Sequence, residues 1–270
     1  MDLGPADPAD LKAAVEATFR DPNYQPPVLP AIATQLVALA RNPNAKYQDL
    51  AFLLRSEPML AGQVLRLAQS PVYRRGAPAK TLEQAASLLG VRTMTDLFLQ
   101  ASISAKVFRA PGYDAPMARL LHHSIAVAHV SRVVCKVARV PDDYAFTCGL
   151  LHDVGAAAEL IVASGLPRRP TFEHVWPVVV ELHAACGSKL AELWKLPDEV
   201  LRSVREHHAP ESAADTTSVA VALADALAAE LHLDMPGEAK PNQLAMAAAR
   251  LKLAPAALDA IRAEMARLKG

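Results

Sequence analysis

An all-α fold is predicted by three features of this 270-residue sequence. Hydrophobic residues make up 52% of the chain and many of them are alanine, whereas aromatic residues make up only 5%. Alternation of apolar and polar residues, which is typical of strands, is rare. Apolar residues instead recur at steps of three and four, which places them on one face of a helix. We therefore expect helices nearly throughout.

Helix boundaries are predicted from breaks in this periodicity and from residues that favour a first turn. Proline is tolerated where a helix begins, and threonine can cap the free backbone N–H groups there. The predicted starts and caps are Pro30, Pro58, Thr81, Pro141, Thr171 and Pro197. In chain order, the predicted helices span about residues 9–20, 30–41, 46–55, 57–69, 81–89, 91–108, 116–139, 142–163, 172–194, 197–208, 216–232 and 241–268.

Two proline- and glycine-containing segments separate larger units. They are RAPGYDAP, which runs from Arg109 to Pro116, and LDMPGEAKPN, which runs from Leu233 to Asn242. We predict a two-lobe helical bundle, because each break falls between long helical stretches. The units are an N-terminal helix and linker (1–27), an N-terminal lobe (28–112), a second lobe (113–235) and a C-terminal helix (236–270).

Charge composition argues against a nucleic-acid or anionic membrane partner, since 28 basic and 28 acidic residues cancel. The basic pairs Arg74–Arg75 and Arg168–Arg169 are short and are interpreted as solvated turns. A second interpretation is that Arg74 and Arg75 contact a phosphate-bearing ligand or a partner at the lobe boundary. A signalling protein or a small phosphorylated ligand is therefore the expected partner.

A reducing, cytoplasmic location is predicted from the cysteines and from the hydropathy pattern. The three cysteines are scattered and show no CxxC spacing, so the sequence indicates neither a disulfide framework nor a thiolate zinc site. The first residues, MDLGPADPADLK, lack the basic and apolar pattern of a signal peptide. No uninterrupted apolar run reaches the ~18 residues that a membrane span requires.

Two histidines lie on apolar helix faces. His123 and His183 each fall in a series of apolar residues at alternating steps of three and four, so both are predicted to face the interior. The two series are Leu120, His123, Val127, Val130, Val134 and Val137, and then Trp176, Val180, His183, Gly187, Leu190 and Trp194.

Other polar side chains are placed similarly. His152 and Asp153 stand among small residues, Asp225 has apolar helical neighbours, and His207 and His208 end a helix that can point them inward. A buried charge needs a partner, and imidazole with carboxylate suits Fe, Mn, Zn, Ni or Mg ions. We predict one shared divalent metal site. The alternative is that each histidine bonds a backbone carbonyl and each aspartate pairs locally.

Several segments in order resemble the HDOD branch of the HD superfamily, over about residues 28–230. They are LPAIATQLVALARNP, DLAFLLRSEPMLAGQVLRLAQSPVYRR, TLEQAASLLGVRTMTDLFL, HHSIAVA, AFTCGLLHDVG, ELHAACGSKLAELWKLPDEVLRSVREHH and VALADALA. The resemblance implies an HD-like helical core behind an N-terminal bundle, and a role in bacterial signalling or regulation. It also implies that His123, His152, Asp153 and Asp225 are the metal ligands, a set that many HDOD domains have lost.

A neighbouring branch, the HD-GYP phosphodiesterases, gives a contrast. Its members read HDxGK, whereas here HDVG is followed by Ala156, and no GYP occurs. Because the lysine that would steady a phosphate is missing, cyclic di-GMP hydrolysis is disfavoured. His183, His207 and His208 nevertheless resemble second-metal ligands of that branch.

Two functions follow from these observations. The first is a non-catalytic regulatory module in which any metal is structural. The second is a metal-dependent phosphohydrolase that acts on a nucleotide or phosphodiester. The sequence favours the regulatory module and leaves catalysis open.

Overall fold

The computed structural model describes residues 8–42, 44–55, 57–70, 73, 78–230, 233, 235 and 242–268. Within these ranges all regular secondary structure is helical, which confirms the predicted all-α class. In chain order the helices are α1 (Pro8–Arg20), α2 (Ala31–Ala40), α3 (Tyr47–Leu54), α4 (Pro58–Ala68), α5 (Leu82–Leu89), α6 (Val91–Lys106), α7 (Asp114–Ala138), α8 (Ala145–Leu151), α9 (Val154–Ser164), α10 (Phe172–Leu193), α11 (Asp198–Glu206), α12 (Thr216–Glu230), α13 (Gln243–Arg250) and α14 (Pro255–Leu268).

Two predicted helices are each divided into two, which corrects the sequence-based boundaries. The helix predicted over 142–163 is interrupted at His152 and Asp153, between α8 and α9, and it begins at Ala145 rather than next to Pro141. The helix predicted over 241–268 ends at Arg250 and resumes at Pro255. Lys252 between them adopts a left-handed conformation (φ 54°), which ends a helix.

The predicted threonine caps have different outcomes. Thr81 caps α5 as predicted, since its side chain accepts a hydrogen bond from the backbone N–H of Gln84 at 3.2 Å. Thr171 precedes α10 but makes no such bond, and its Oγ1 lies 2.8 Å from Nδ1 of His174 instead. The side chain of Thr171 therefore contacts His174 and does not cap the helix.

The helices pack in two sets that follow the chain. Helices α2 to α5 pack around α6, whereas α7 to α13 pack mainly on one another, and α14 lies against α7. Helix α1 is an exception to this order, because it comes first in the chain but packs on α9 and α10 of the second set. The predicted limits of the lobes stay predictions.

A buried ion pair joins the two sets. Asp96 of α6 accepts a hydrogen bond from Arg132 of α7, and Asp96 is only 4% exposed. Burial raises the pKa of Asp96 to about 6, although the nearby Arg132 and Arg92 guanidiniums oppose that change. The contact fixes α7 against α6 at the cost of a partly desolvated charge.

The stretch 145–164 is the most buried part of the fold. It is long and apolar enough to cross a membrane by composition, but 89% of its most apolar window is buried among the other helices. Such burial is what a core segment of a soluble helical protein requires. The predicted compartment stays a prediction.

Candidate metal centre

Seven polar side chains from separate elements meet in one place. His123 lies on α7, His183 on α10 and Asp225 on α12, while the other four lie at helix ends. His152 and Asp153 form the junction of α8 and α9, and His207 and His208 follow α11. The structure thus brings together every predicted ligand: His123, His152, Asp153, His183, His207, His208 and Asp225.

The seven side chains form two adjacent groups. One group consists of His123, His152 and Asp225, and the other of Asp153, His183, His207 and His208. Within each group the candidate ligand atoms lie within 4.8 Å of one another. All these residues are buried except His208, which is half-buried.

Asp153 connects the two groups through its two carboxylate oxygens. Its Oδ2 lies 3.3 Å from Nε2 of His123 and 3.2 Å from Nε2 of His152. Its Oδ1 lies 3.2 Å from Nε2 of His207 and 3.6 Å from Nε2 of His183. The interruption between α8 and α9 makes this possible, because Asp153 leaves the helical conformation (φ −103°, ψ 19°). One oxygen is therefore directed to each group.

Glycines let the helix backbones approach one another beside these ligands. A Cβ atom on Gly149 would lie 2.6 Å from Cα of Ala128, so α8 and α7 touch where they carry His152 and His123. The space left by the small residues around His152 and Asp153 is therefore filled by neighbouring backbone. This explains the small-residue composition of that stretch.

Each of four histidines donates a hydrogen bond from Nδ1 to a backbone carbonyl. The Nδ1–oxygen distances are 2.9 Å from His123 to Leu233, 2.8 Å from His152 to Gly149, 3.0 Å from His183 to Val179 and 2.9 Å from His207 to Val204. A carbonyl oxygen can only accept, so Nδ1 carries a proton, and in the neutral form of the ring Nε2 presents a lone pair. The local hydrogen bonds that were the alternative to a metal site thus exist, and they orient the lone pairs toward the centre.

Those lone pairs face one another at short range. The Nε2–Nε2 distance is 3.1 Å between His123 and His152, 3.4 Å between His183 and His207, and 2.9 Å between His183 and His208. Two nitrogens bound at about 2.1 Å to one tetrahedral or octahedral ion lie about 3.0–3.4 Å apart. In addition, Oδ1 of Asp153 is buried and lies 3.2 Å from Nε2 of His207. The donor set therefore fits divalent metal ions.

The electrostatics of the centre also fit cation binding. Burial would raise the pKa of Asp153, but the surrounding histidines outweigh burial and hold that pKa well below its usual range. Burial lowers the pKa of His183, despite the opposing charge of Asp153. Asp153 is thus ionised and His183 neutral, the forms that bind metals. Burial also disfavours a charged His207, but the hydrogen bond and charge of Asp153 raise its pKa overall, so an ion must compete with a proton there.

A glutamine that sequence reasoning missed supports the centre from α13. The Nε2 atom of Gln243 lies 3.0 Å from Oδ2 of Asp225 and 3.3 Å from the carbonyl oxygen of His207. Its side chain is buried and its residue is 2% exposed. No periodicity marks Gln243 in the sequence, because its role depends on the chain returning after α12.

Two further sequence-based assignments do not belong to the predicted ligand set. Ala156, in the place of the lysine of the HD-GYP pattern, is fully buried in α9. Arg74 and Arg75 lie outside the described residues. Their predicted contact with a phosphate-bearing ligand stays a prediction.

An all-α fold that gathers histidines and aspartates from several helices into one buried centre defines a protein of the HD class. Comparison with protein families makes the assignment specific, because the HDOD domain family matches residues 27–210. The chain belongs to the HDOD domain family. The match ends before Asp225 and Gln243, so the centre is completed by helices beyond the matched region.

Related sequences match parts of longer proteins. An uncharacterised protein of Treponema pallidum (strain Nichols) is 24% identical over 239 residues, which cover 81% of this chain and 45% of that protein. Ribonuclease Y of Thermus thermophilus is 31% identical over 110 residues, which cover 41% of this chain and 16% of the ribonuclease. The chain thus spans less than half the length of either relative.

Solved structures share the whole fold. An HDOD domain protein of unknown function from Geobacter sulfurreducens superposes with a TM-score of 0.71 at 20% identity, covering 97% of this chain and 99% of its own. A Shewanella amazonensis protein, described provisionally as a metal-dependent phosphohydrolase, gives a TM-score of 0.72 at 18% identity with the same coverage. With sequence identities of 20% and 18%, this structural similarity establishes that the fold is shared.

Proposed function

We propose that this HDOD protein is a regulatory phosphohydrolase with two divalent ions at the seven-residue centre. The single observation that carries the proposal is the position of Asp153, whose two oxygens serve two separate groups of ligands. A carboxylate shared between two cation sites is typical of centres that hydrolyse phosphoesters. The partial similarity to ribonuclease Y and the fold shared with the Shewanella protein support this class of reaction.

The residues of each group have separable tasks. His123, His152 and Asp225 would hold one ion, His183, His207 and His208 the other, and Asp153 both. Such ions supply Lewis acidity, which polarises a phosphoryl oxygen and makes hydroxide available near neutral pH. His208 and Asp225 are the most exposed members, so a substrate phosphate would approach from their side.

A second function, that of a non-catalytic signalling module, is favoured by two observations. The metal centre is buried, and Ala156 stands where the HD-GYP pattern has a lysine. Six of the seven ligands are at most 8% exposed, and no lysine follows the His–Asp pair to steady a phosphate. In this case the ions are structural and the protein acts as a signalling module that binds a partner. The predicted cytoplasmic location suits both functions.

The experiment compares metal content and hydrolysis in three purified proteins. The wild type, Asp153→Asn and the exposed control Asp143→Asn are prepared without chelator and analysed for Fe, Mn, Zn, Ni and Mg. Each is then assayed with p-nitrophenyl phosphate and bis-p-nitrophenyl phosphate. We expect two ions per chain and hydrolysis in the wild type and in Asp143→Asn, and loss of both in Asp153→Asn.

The outcomes separate the two functions. Stoichiometric metal without hydrolysis of either ester, with any of the five ions supplied, favours the structural role. Absence of stoichiometric metal in the wild type contradicts both versions of the proposal.

A further inference from the structure

A cleft of about 460 Å³ lies between α4, α6 and α7, where the N-terminal helices meet the helices of the metal centre. None of the seven ligands lines it. Its volume falls in the range of about 300–1,000 Å³ that is usual for small-molecule sites. It is therefore a second candidate site, with its own chemistry.

Two arginines give the cleft a positive charge. Arg66 lies in the last turn of α4 and Arg109 in the segment between α6 and α7, and no aspartate or glutamate lines the cleft. Among the described residues neither guanidinium pairs with a carboxylate, whereas Arg132, Arg202 and Arg262 all do. Two exposed guanidiniums that line one concave surface favour an anion, and a guanidinium group can form paired hydrogen bonds with a phosphate.

Gln100 adds a requirement that a bare anion does not meet. The residue is 6% exposed and lines the cleft, and its carboxamide oxygen has no hydrogen-bond partner in the part of the chain that the structure describes. A buried acceptor without a donor destabilises the protein. The oxygen itself is closed to solvent, so the N–H or O–H group of an organic ligand reaches it once the Gln100 carboxamide turns toward the cleft, whereas phosphate is chiefly an acceptor.

The part of the lining that α7 contributes suits an apolar or flat group of a ligand. Leu121 and Ile125 lie one turn apart on α7, and both are half-buried against the core while they line the cleft. Such a surface covers the face of a ring while charged groups hold the other end of the ligand.

We propose that this cleft binds a mononucleotide or a closely similar organic phosphate. Arg66 and Arg109 would hold the phosphate, Gln100 would accept a hydrogen bond from the base or sugar, and Leu121 and Ile125 would cover the base. The ligand would touch α4, α6 and α7 together. The site is independent of the phosphohydrolase proposal, because it shares no residue with the metal centre.

Titration calorimetry of the metal-loaded full chain tests the proposal. The probes are 5′-AMP and 5′-GMP, with inorganic phosphate, adenosine and guanosine as partial ligands. We expect one nucleotide per chain, with each partial ligand at least tenfold weaker. Arg66→Ala and Arg109→Ala should each weaken binding at least tenfold, and Gln100→Leu should weaken it severalfold. The exposed Arg55→Ala, outside the cleft, should bind as the wild type does.

Three results would overturn the assignment. The first is that neither nucleotide binds the folded wild type at millimolar concentration. The second is that inorganic phosphate binds as tightly as the nucleotides, which would indicate a simple anion site. The third is that binding is lost in Asp153→Asn but kept in both arginine variants, which would locate the ligand at the metal centre. A lack of ester hydrolysis would not change the nucleotide affinities of the wild type or the variants. Either proposal can therefore be wrong while the other holds.

Discussion

A Cβ atom on Gly155 would lie 1.9 Å from the backbone carbonyl oxygen of His183. Helices α9 and α10 therefore cross backbone against backbone at the point where they bring Asp153 and His183 together. Gly187 belongs to the same crossing, since its added Cβ would lie 3.1 Å from the backbone nitrogen of Gly155. Glycine is required here by the space between two helices rather than by its own backbone angles.

We expect Gly155→Ala to destabilise the protein and to reduce its metal content. The overlapping atom belongs to the backbone, so no rotamer change relieves it and the two helices must separate. Overpacking of this kind costs about 1–3 kcal/mol or more in the free energy of unfolding. Urea unfolding and elemental analysis measure the two effects.

Gly62→Ala is the matched control for that substitution. Gly62 lies within α4, and a Cβ atom there would meet nothing within 4 Å. Alanine should stabilise the helix by about 1 kcal/mol, because it has the higher helix propensity. If Gly155→Ala instead kept wild-type stability and metal content, the close approach of α9 and α10 would not be needed for metal binding.

Gln243→Leu should weaken metal binding while the helical fold stays intact. Leucine fills similar space but removes the donor that lies 3.0 Å from Oδ2 of Asp225. Loss of a residue that orients a metal ligand typically lowers metal affinity about 10–100-fold. Chelator competition measures the affinity, circular dichroism checks the fold, and the exposed Gln48→Leu is the control. Unchanged affinity would show that Asp225 is oriented without Gln243.

The helices and the ligands were predictable from the sequence because both depend on local pattern. Inward-facing histidines such as His123 and His183 interrupt otherwise apolar helix faces, and a buried imidazole needs a partner. Asp225, the ligand most distant along the chain, was indicated by its apolar helical neighbours and then by the HDOD resemblance. The ligand assignment itself stays a prediction until metal is measured.

The missed features depend on contacts between distant segments. The break at His152 and Asp153 has no proline or glycine at the junction, and apolar spacing continues through it. Gln243 joins the centre only because α13 packs against α12. Lys252 adopts a left-handed conformation that is uncommon for lysine, although Pro255 shortly afterwards was a usable signal for a new helix.

Removal of metal should lower the melting temperature of the wild type. Without an ion, the Nε2 lone pairs of His123 and His152 face each other at 3.1 Å, and the native state loses ligand binding energy. An ion present at 100 times its dissociation constant stabilises the native state by about 2.7 kcal/mol. For a chain of this size we expect a decrease of about 5–10 °C.

The measurement is a thermal melt before and after EDTA treatment, and again after Mn²⁺ is restored. Asp153→Asn, which lacks the shared carboxylate, should melt at the same temperature in all three samples. A wild-type melting temperature that does not change when metal content falls to zero would contradict preferential binding to the native state.

Glu159 should make the stability of the protein depend on pH. It is fully buried in α9, and the hydrogen bond of the Cys186 thiol offsets only part of the effect of that burial. Burial raises the pKa of Glu159 well above its usual range. In the unfolded chain a glutamate titrates near about 4.3. Above that pH the unfolded state loses its proton while the native state keeps it, so the free energy of unfolding falls by about 1.4 kcal/mol per pH unit until the native group also ionises.

Glu159→Gln removes this titration and keeps the size of the side chain. The free energy of unfolding of the variant, relative to the wild type, should therefore rise steadily from pH 4.5 to pH 7 in urea titrations. Other buried carboxyls, such as Asp96, are present in both proteins and cancel in the difference. The exposed Glu211→Gln should show a difference that is small and constant with pH. A constant difference for Glu159→Gln as well would mean that Glu159 ionises in the native protein as it does in water, and that the interior around α9 is open to solvent.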